Sequence, residues 1–479
     1  MTEKTSFNRR QLLVGSAALP VLASANVYSA AANHSHHSVK GKPFDPSNEP
    51  KRVRKNFYDL TDAELRTFMT AVGYARNNLK LLDPLQWDNY AKLHALHCTE
   101  ADDDHPAVHW SWHFLPWHRG YLYFLERILD DCLKKAGVKQ TEAFALPYWD
   151  WSTHRTMPNT REREQKGLAS PFFGYNPALE NMVNDDGLGF DNSALYDGNR
   201  GPSISKPEMD PKNERTPDSK IHVSDTLYYT SQDYISLILS LPWEHFGGGT
   251  VVDRQTGQGL LEQGPHNDVH DWVGSRFGKN RTMGTLRNAA ADPMFYMHHG
   301  NIDRIFSLYN QPMPDLDGEW GQFEYNFLDI DGSTLTLSIK DIMTKTTNVS
   351  YTGGFSPSVP RRLKKAVKSA EVEVNKVLGA KPLNITIPES TISSERMILE
   401  VVTGTINNTG KYKIAVEMNG QTVGRVRWLD GEHRSNYKST THSFSVLLVN
   451  APNTTTIRLV PPKKGTFDIL IKSLRFTVV

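Results

Sequence analysis

The residues of this chain best suited to chemistry are histidines. Of 18, about eight fall in stretches with helical or near-helical spacing. His109 and His118 lie nine positions apart, with His113 between them and Phe114-Leu115-Pro116-Trp117 directly before His118. His266 and His270 stand at i and i+4, which on a helix aims both side chains the same way about one turn apart. His298 and His299 are adjacent, and upstream His94 and His97 share a helix face at i and i+3. A lone histidine is usually a satisfied structural residue, but imidazoles in this company point to a metal. Neutral imidazole suits copper, zinc, iron or nickel. No nearby carboxylate or thiol pattern supplies a mixed zinc site, and without an H-E-x-x-H segment a zinc protease has no support.

These side chains need helices to position them. Thr61 and Glu64 form a capping-box pattern, so a helix should run from there to about Asn78. A second is expected over Leu85 to Leu96, leading into His97. A long amphipathic one after Pro116 should bury Leu122, Phe124, Leu125, Ile128 and Leu129. Ser231 to Leu241 and the His266/His270 segment read as helical, and a helix beginning near the double histidine should bury Ile302, Ile305 and Phe306. Ser152 to Ser224 is polar and rich in Gly, Pro, Asn and Asp, which reads as long surface loops. After Tyr309 the texture changes. Thr334 to Ile339 alternates as a strand, and Arg361 to Lys381 is basic, either helix or linker. Short alternating runs follow at Met397–Val402, Tyr412–Met418, Ser443–Val449, Thr456–Leu459 and Phe467–Ile471.

At 479 residues the chain has room for two or three domains. With 54 basic against 53 acidic residues, nothing argues for nucleic acid as a partner, and small or neutral ligands fit better. Two cysteines, Cys98 and Cys132, exclude a disulfide framework or a multi-cysteine metal site. Asn8-Arg9-Arg10-Gln11-Leu12-Leu13 precedes an apolar segment and small-residue cleavage points, an order that resembles a bacterial twin-arginine signal over residues 1–31. Export to the periplasm or beyond, with no membrane anchor in the mature form, is the expectation.

His109, then Phe114-Leu115-Pro116-Trp117-His118-Arg119, Leu122 and Glu126 resemble the first copper signature of tyrosinases and polyphenol oxidases. Asp292-Pro293, Phe295-Tyr296, His299 and Asp303 resemble the second. Arg54 to Asn56 and Phe144 to Trp151 are also similar to that family, and Asn326 to Gly332 and Lys411 to Val416 more weakly so. The resemblance implies a mainly α fold. Its parts would be a four-helix-bundle dicopper catalytic domain with long loops (45–312), a connector (313–360), a linker (361–393) and a small C-terminal β-sandwich or barrel (394–479).

It further implies two copper ions, the first held by His97, His109 and His118 and the second by His266, His270 and His299. His94 lies a turn from His97, which is preferred because His97-Cys98 resembles the plant His-Cys pair. His113 should lie off the metal. Plant members join a cysteine four residues beyond the first ligand to the second ligand; counted from His97 that position is Ala101, so the cysteine is missing. Glu262 and Asn267 match positions that hold a proton-accepting water, and Leu286 stands where plant enzymes place a Phe over the first copper. The implied activity is oxidation of phenols to ortho-quinones by dioxygen, on both monophenols and o-diphenols, with an activating protease as a possible partner. The alternatives are a hemocyanin-like oxygen carrier, or a catechol oxidase without activity on monophenols.

Overall fold

Helix α1 (Asp62–Asn77) begins as its capping box requires: Thr61 Oγ1 accepts from the Glu64 N–H at 3.3 Å while Glu64 Oε2 accepts from the Thr61 N–H at 2.9 Å. Helix α2 (Trp87–Thr99) carries His94, His97 and Cys98, and α3 (Phe114–Lys135) carries His118. The computed structural model describes residues 40–99, 108–154, 158–166, 170–172, 194–195, 228–249, 257–274, 282–357, 369–388, 396–404, 412–428, 442–449, 454–461 and 468–478. The signal segment 1–31 and most of the loops expected over 152–224 lie outside them. Further along come α4 (Gln232–Ile238), a π-helical turn (Glu262–His266) running into α5 (Asn267–Val273), and α6 (Pro293–Ser307). Asp292 caps α6 through the Met294 N–H at 2.8 Å, and Pro293 fills the first turn, where its missing donor costs nothing. The helix therefore starts earlier than the double histidine and presents His298 and His299 from its middle.

A buried ion network ties these helices to the sequence around residue 54. Arg54 makes a two-pronged pair with Glu126 of α3 (Nε–Oε1 2.7 Å, Nη2–Oε2 2.9 Å) and a third bond to Asp303 of α6 at 2.8 Å. Asp303 also accepts from Arg119 Nε at 2.7 Å and from the Tyr351 hydroxyl. Glu126 Oε1 takes the Leu146 N–H at 2.8 Å, which explains why the Phe144 to Trp151 run belongs beside the helices. Gly120 lets α3 lie directly on strand β3 (Glu324–Leu328), where a Cβ would sit 2.7 Å from the Phe327 ring.

Strands stitch the two ends of this helical region together. β1 (Lys42–Pro43) pairs in parallel with β4 (Thr334–Ser338), which is antiparallel to β3. β2 (Arg52–Lys55) pairs in parallel with β5 (Val349–Thr352), and α7 (Ile339–Lys345) lies between. The residues after 312 are thus interleaved with the start of the described chain, and Gly41–Val479 form one compact unit.

The remaining strands are β6 (Ser369–Leu378), β7 (Leu383–Thr386), β8 (Arg396–Thr403), β9 (Tyr412–Met418), β10 (Gln421–Trp428), β11 (His442–Val449), β12 (Thr456–Val460) and β13 (Ile469–Val478). They form two antiparallel sheets, ordered β10-β9-β12-β7 and β11-β8-β13-β6. β10 lies against β11 at Gly424, where a Cβ would meet Val446 Cγ1 at 2.1 Å. β12 alternates buried and exposed residues, as a strand with one solvated face should. β8 is buried almost throughout, so its sheet is covered on both faces at that strand. Two expectations change. Helices and strands share the described residues, so the chain is α+β rather than mainly α. The stretch 361–393 is not simply a linker, because β6 and β7 lie within it and belong to the sheets.

Candidate metal centre

Two groups of buried side chains have ligand atoms within 4.8 Å of one another: His94, Cys98, His109 and His118, and His266, His270, His298 and His299. The groups face each other. The His118 and His299 rings stack at 4.3 Å and those of His109 and His266 lie 5.3 Å apart. Phe114 packs on both His118 and His266 at 4.7 Å, and Phe295 wedges between His94 at 4.7 Å and His299 at 4.0 Å.

The outer ring nitrogens decide which nitrogen faces inward. His118 Nδ1 is 2.8 Å from the Phe114 carbonyl, and His270 Nδ1 is 2.8 Å from the Met283 carbonyl. His266 Nδ1 is 3.0 Å from Asn267 Oδ1, and His109 Nδ1 is 3.1 Å from Glu262 Oε1. Each of these oxygens takes an N–H, so in all four rings Nδ1 carries the proton and the Nε2 lone pair is free. Those lone pairs converge: His109 Nε2 is 3.5 Å from His94 Nε2, and His270 Nε2 is 3.3 Å from His299 Nε2. His118 Nε2 and His266 Nε2 are buried without a protein partner among the described residues. Burial holds the His94, His109, His118, His266 and His299 imidazoles in their neutral, metal-binding form, with His118 lowered to about 3. A pair of cations fits this arrangement on the donor chemistry alone.

His299 and His298 are both in the second group, but the Trp151 indole N–H donates to His298 Nδ1 at 3.1 Å. That occupies the lone pair of His298 and leaves its other nitrogen protonated, so His299 is the better donor. His113 lies outside both groups; its Nδ1 is 2.8 Å from the Tyr325 hydroxyl, and its ring packs on Phe323.

His97 requires correction. It points at Trp117 (5.2 Å) and Tyr325 (5.7 Å), while His94 takes the place expected of it beside His109 and His118. Cys98 lies four residues beyond His94, one helical turn, which brings its thiol into the same group. The cysteine expected to be missing is therefore present once the count starts from His94. Sequence reading also passed over Trp110, whose φ of +56° is the left-handed conformation that side chains disfavour by about 1–2 kcal/mol. Its N–H is held by Glu262 Oε1 at 2.9 Å, so the carboxylate fixes both His109 and the strained backbone beside it.

Glu262 is buried at the start of the π-helical turn. Burial pushes its carboxyl up to about 8, against the opposing pull of the Trp110 N–H and Gln258. Its Oε2 has no protein partner among the described residues. Leu286 is buried, and its backbone faces the His94 ring.

Residues 84–312 match the family model described as the common central domain of tyrosinase. The chain is 29% identical over 345 residues to polyphenol oxidase E of Solanum lycopersicum, covering 69% of this chain and 53% of that protein. To tyrosinase HcTyr1 of Hahella sp. (strain CCB-MM4) it is 26% identical over 349 residues, covering 67% of each. It spans about half the length of the plant relatives it matches. Among solved structures it resembles a latent aurone synthase (TM-score 0.65, 21% identity, 92% of both chains). It also resembles latent apple tyrosinase (TM-score 0.63, 20% identity, 91% of this chain and all of that one). At such identities the likeness is one of fold.

Proposed function

The chain belongs to the tyrosinase and polyphenol oxidase family, and from that premise we propose that it oxidises phenols to ortho-quinones with dioxygen at a pair of copper ions. The observation that carries this reading is the pair of facing clusters, each with at least three histidines, whose lone pairs turn inward. His94, His109 and His118 would hold one copper, and His266, His270 and His299 the other. When bound, the copper pair supplies the redox chemistry with dioxygen. The chain's own residues bind the ring, orient it, exclude water and move the proton.

A monophenol must lose its proton before it can be oxidised. Glu262 Oε2, buried and without a protein partner among the described residues, supports the reading that it holds a proton-accepting water in company with Asn267 beside His266. Leu286 is smaller than Phe and would leave room for a phenol ring to approach the first site. Activity on both monophenols and o-diphenols follows. It is tested by assaying the copper-loaded, protease-activated protein on a panel of both. Turnover of catechols with none of any monophenol would reduce the function to catechol oxidation, and reversible oxygen binding without turnover would favour a carrier.

The spacing of His94 and Cys98 supports the thioether of plant members, with Cys98 Sγ joined to an imidazole carbon of His109 and two hydrogens removed by the copper-oxygen chemistry. The β-region is read as a cover for the site. β6 takes residues 369–378 out of the basic stretch, so cleavage is expected at Arg361 to Lys368, and it should raise turnover of bulky phenols. Unchanged turnover with copper intact would count against a cover. Export through the twin-arginine segment is tested by replacing Arg9 and Arg10 with lysine, which should retain the protein in the cytoplasm.

A further inference from the structure

β11 is an edge strand, and its outer side is closed by the turn that carries Glu262. The Phe444 backbone forms a parallel bridge with Gln258. One residue on, the Gln263 carboxamide takes the next rung: its Nε2 donates to the Ser445 carbonyl at 2.7 Å, and its Oε1 accepts the Ser445 N–H at 3.1 Å. Nε2 also reaches the Arg425 carbonyl of β10 at 3.3 Å. Gln263 is buried, so losing the amide would leave two backbone groups of β11 without water or partner.

Glu262 lies between these two fastenings. Its Oε1 accepts from the Gln258 side chain at 3.3 Å and from the Trp110 N–H at 2.9 Å, and it faces His109 Nδ1. A π-helical turn has one residue more per loop than an α-helix and is held open by its surroundings. Here the β11 backbone supplies part of that hold, at residues 258 and 263, on either side of the carboxylate.

We propose that Gln263 is a positioning residue: by clasping the Ser445 backbone it sets Glu262, so the β-region governs the balance between monophenol and o-diphenol oxidation as well as covering the site. The proposal rests on the reading of Glu262 as a holder of the proton-accepting water. The selectivity follows from the substrates. A catechol has a more acidic first hydroxyl and a second oxygen to anchor it, whereas a monophenol depends on a well-placed acceptor.

The test uses the full-length, copper-loaded chain with Gln263→Met, which keeps the length and removes the amide, and Gln263→Glu, which keeps only the acceptor. Expected for Gln263→Met is a loss of about tenfold in monophenol kcat/KM, a part of the ~10²–10⁴ that a positioned base supplies. Catechol turnover should stay within about twofold, because the groups that bind and oxidise the ring are untouched. Gln263→Glu should fall between. In the metal-free protein, hydrogen exchange should speed up together at 443–446 and 258–264 in the variants, a readout independent of turnover. Equal loss on both substrates with full copper, or exchange at 443–446 unchanged, would overturn the proposal. A Glu262→Gln control separates the two ideas. If it spares monophenol turnover, the water-holding reading of Glu262 falls and the kinetic part of this one with it. If it abolishes that turnover while Gln263→Met spares it, only the clasp falls.

Discussion

At the scale of single residues, the sequence favours His97 over His94, whereas helical geometry sets His94 beside His109 and His118. The spacing that mattered was i to i+4, His94 to Cys98, and not the adjacent His97-Cys98 pair. Five of the six histidines expected at the metal lie in the two buried groups, and their spacing and neighbours single them out in the sequence. The sixth is not singled out, because two histidines one turn apart differ only in which faces meet Trp117 and which meet His109. Two outcomes follow. His94→Ala should bind one copper fewer per chain and lose phenol turnover, whereas His97→Gln should keep both ions, as read by metal analysis. In the mature protein, the intact mass should exceed that of Cys98→Ser by two hydrogens less than the substitution alone accounts for, with the Cys98 and His109 peptides joined. Separate peptides after copper loading and turnover would exclude the thioether.

At the scale of elements, the helices were read well where end signals are chemical. The Thr61/Glu64 box and the Asp292-Pro293 start are examples. Strands were read less well. β10 carries Gln421, Arg425 and Arg427 with Gly424 at a close contact, so it shows no clean alternation. β6 is an edge strand with mostly exposed residues, and its charges make it look like a linker. The signature residues Glu126 and Asp303 proved to be the partners of buried Arg54. Arg54→Met leaves buried Glu126 without a cation and Asp303 with Arg119 alone, and should cost about 3–5 kcal/mol in denaturant unfolding.

Glu400, buried on β8 opposite Ser445 and Arg475, gives a pH test. Burial raises its carboxyl to about 6, opposed by Arg475 and helped by Glu244 and Glu371. A raised carboxyl favours the folded state at low pH, and the advantage fades as pH climbs from the usual carboxylate range through about 6. Glu400→Gln should therefore be more stable than the parent at pH 7, by about 2 kcal/mol at most, and the gap should close below pH 5. A constant gap across that range would remove the ionisation from the account.

At the scale of the whole molecule, the division into consecutive pieces was the least legible part. Composition marks where texture changes, near Tyr309, but not that the later strands return to pair with the first ones. β1 and β2 find their partners in β4 and β5, nearly 300 positions away. A fragment ending at 312 would lose Tyr351 from Asp303 and Tyr325 from His113.

That closure also dictates an order of events during synthesis. The strand holding Arg54 emerges early from the ribosome, yet its neighbour, Val349–Thr352, is made only after both clusters of histidines. Pairings of such long range are slow to form and leave their early partners waiting. The imidazoles are therefore all translated before the belt around them can fasten. A nascent chain halted short of Thr352 should stay open to protease at Arg52–Lys55, and one carried past it should not.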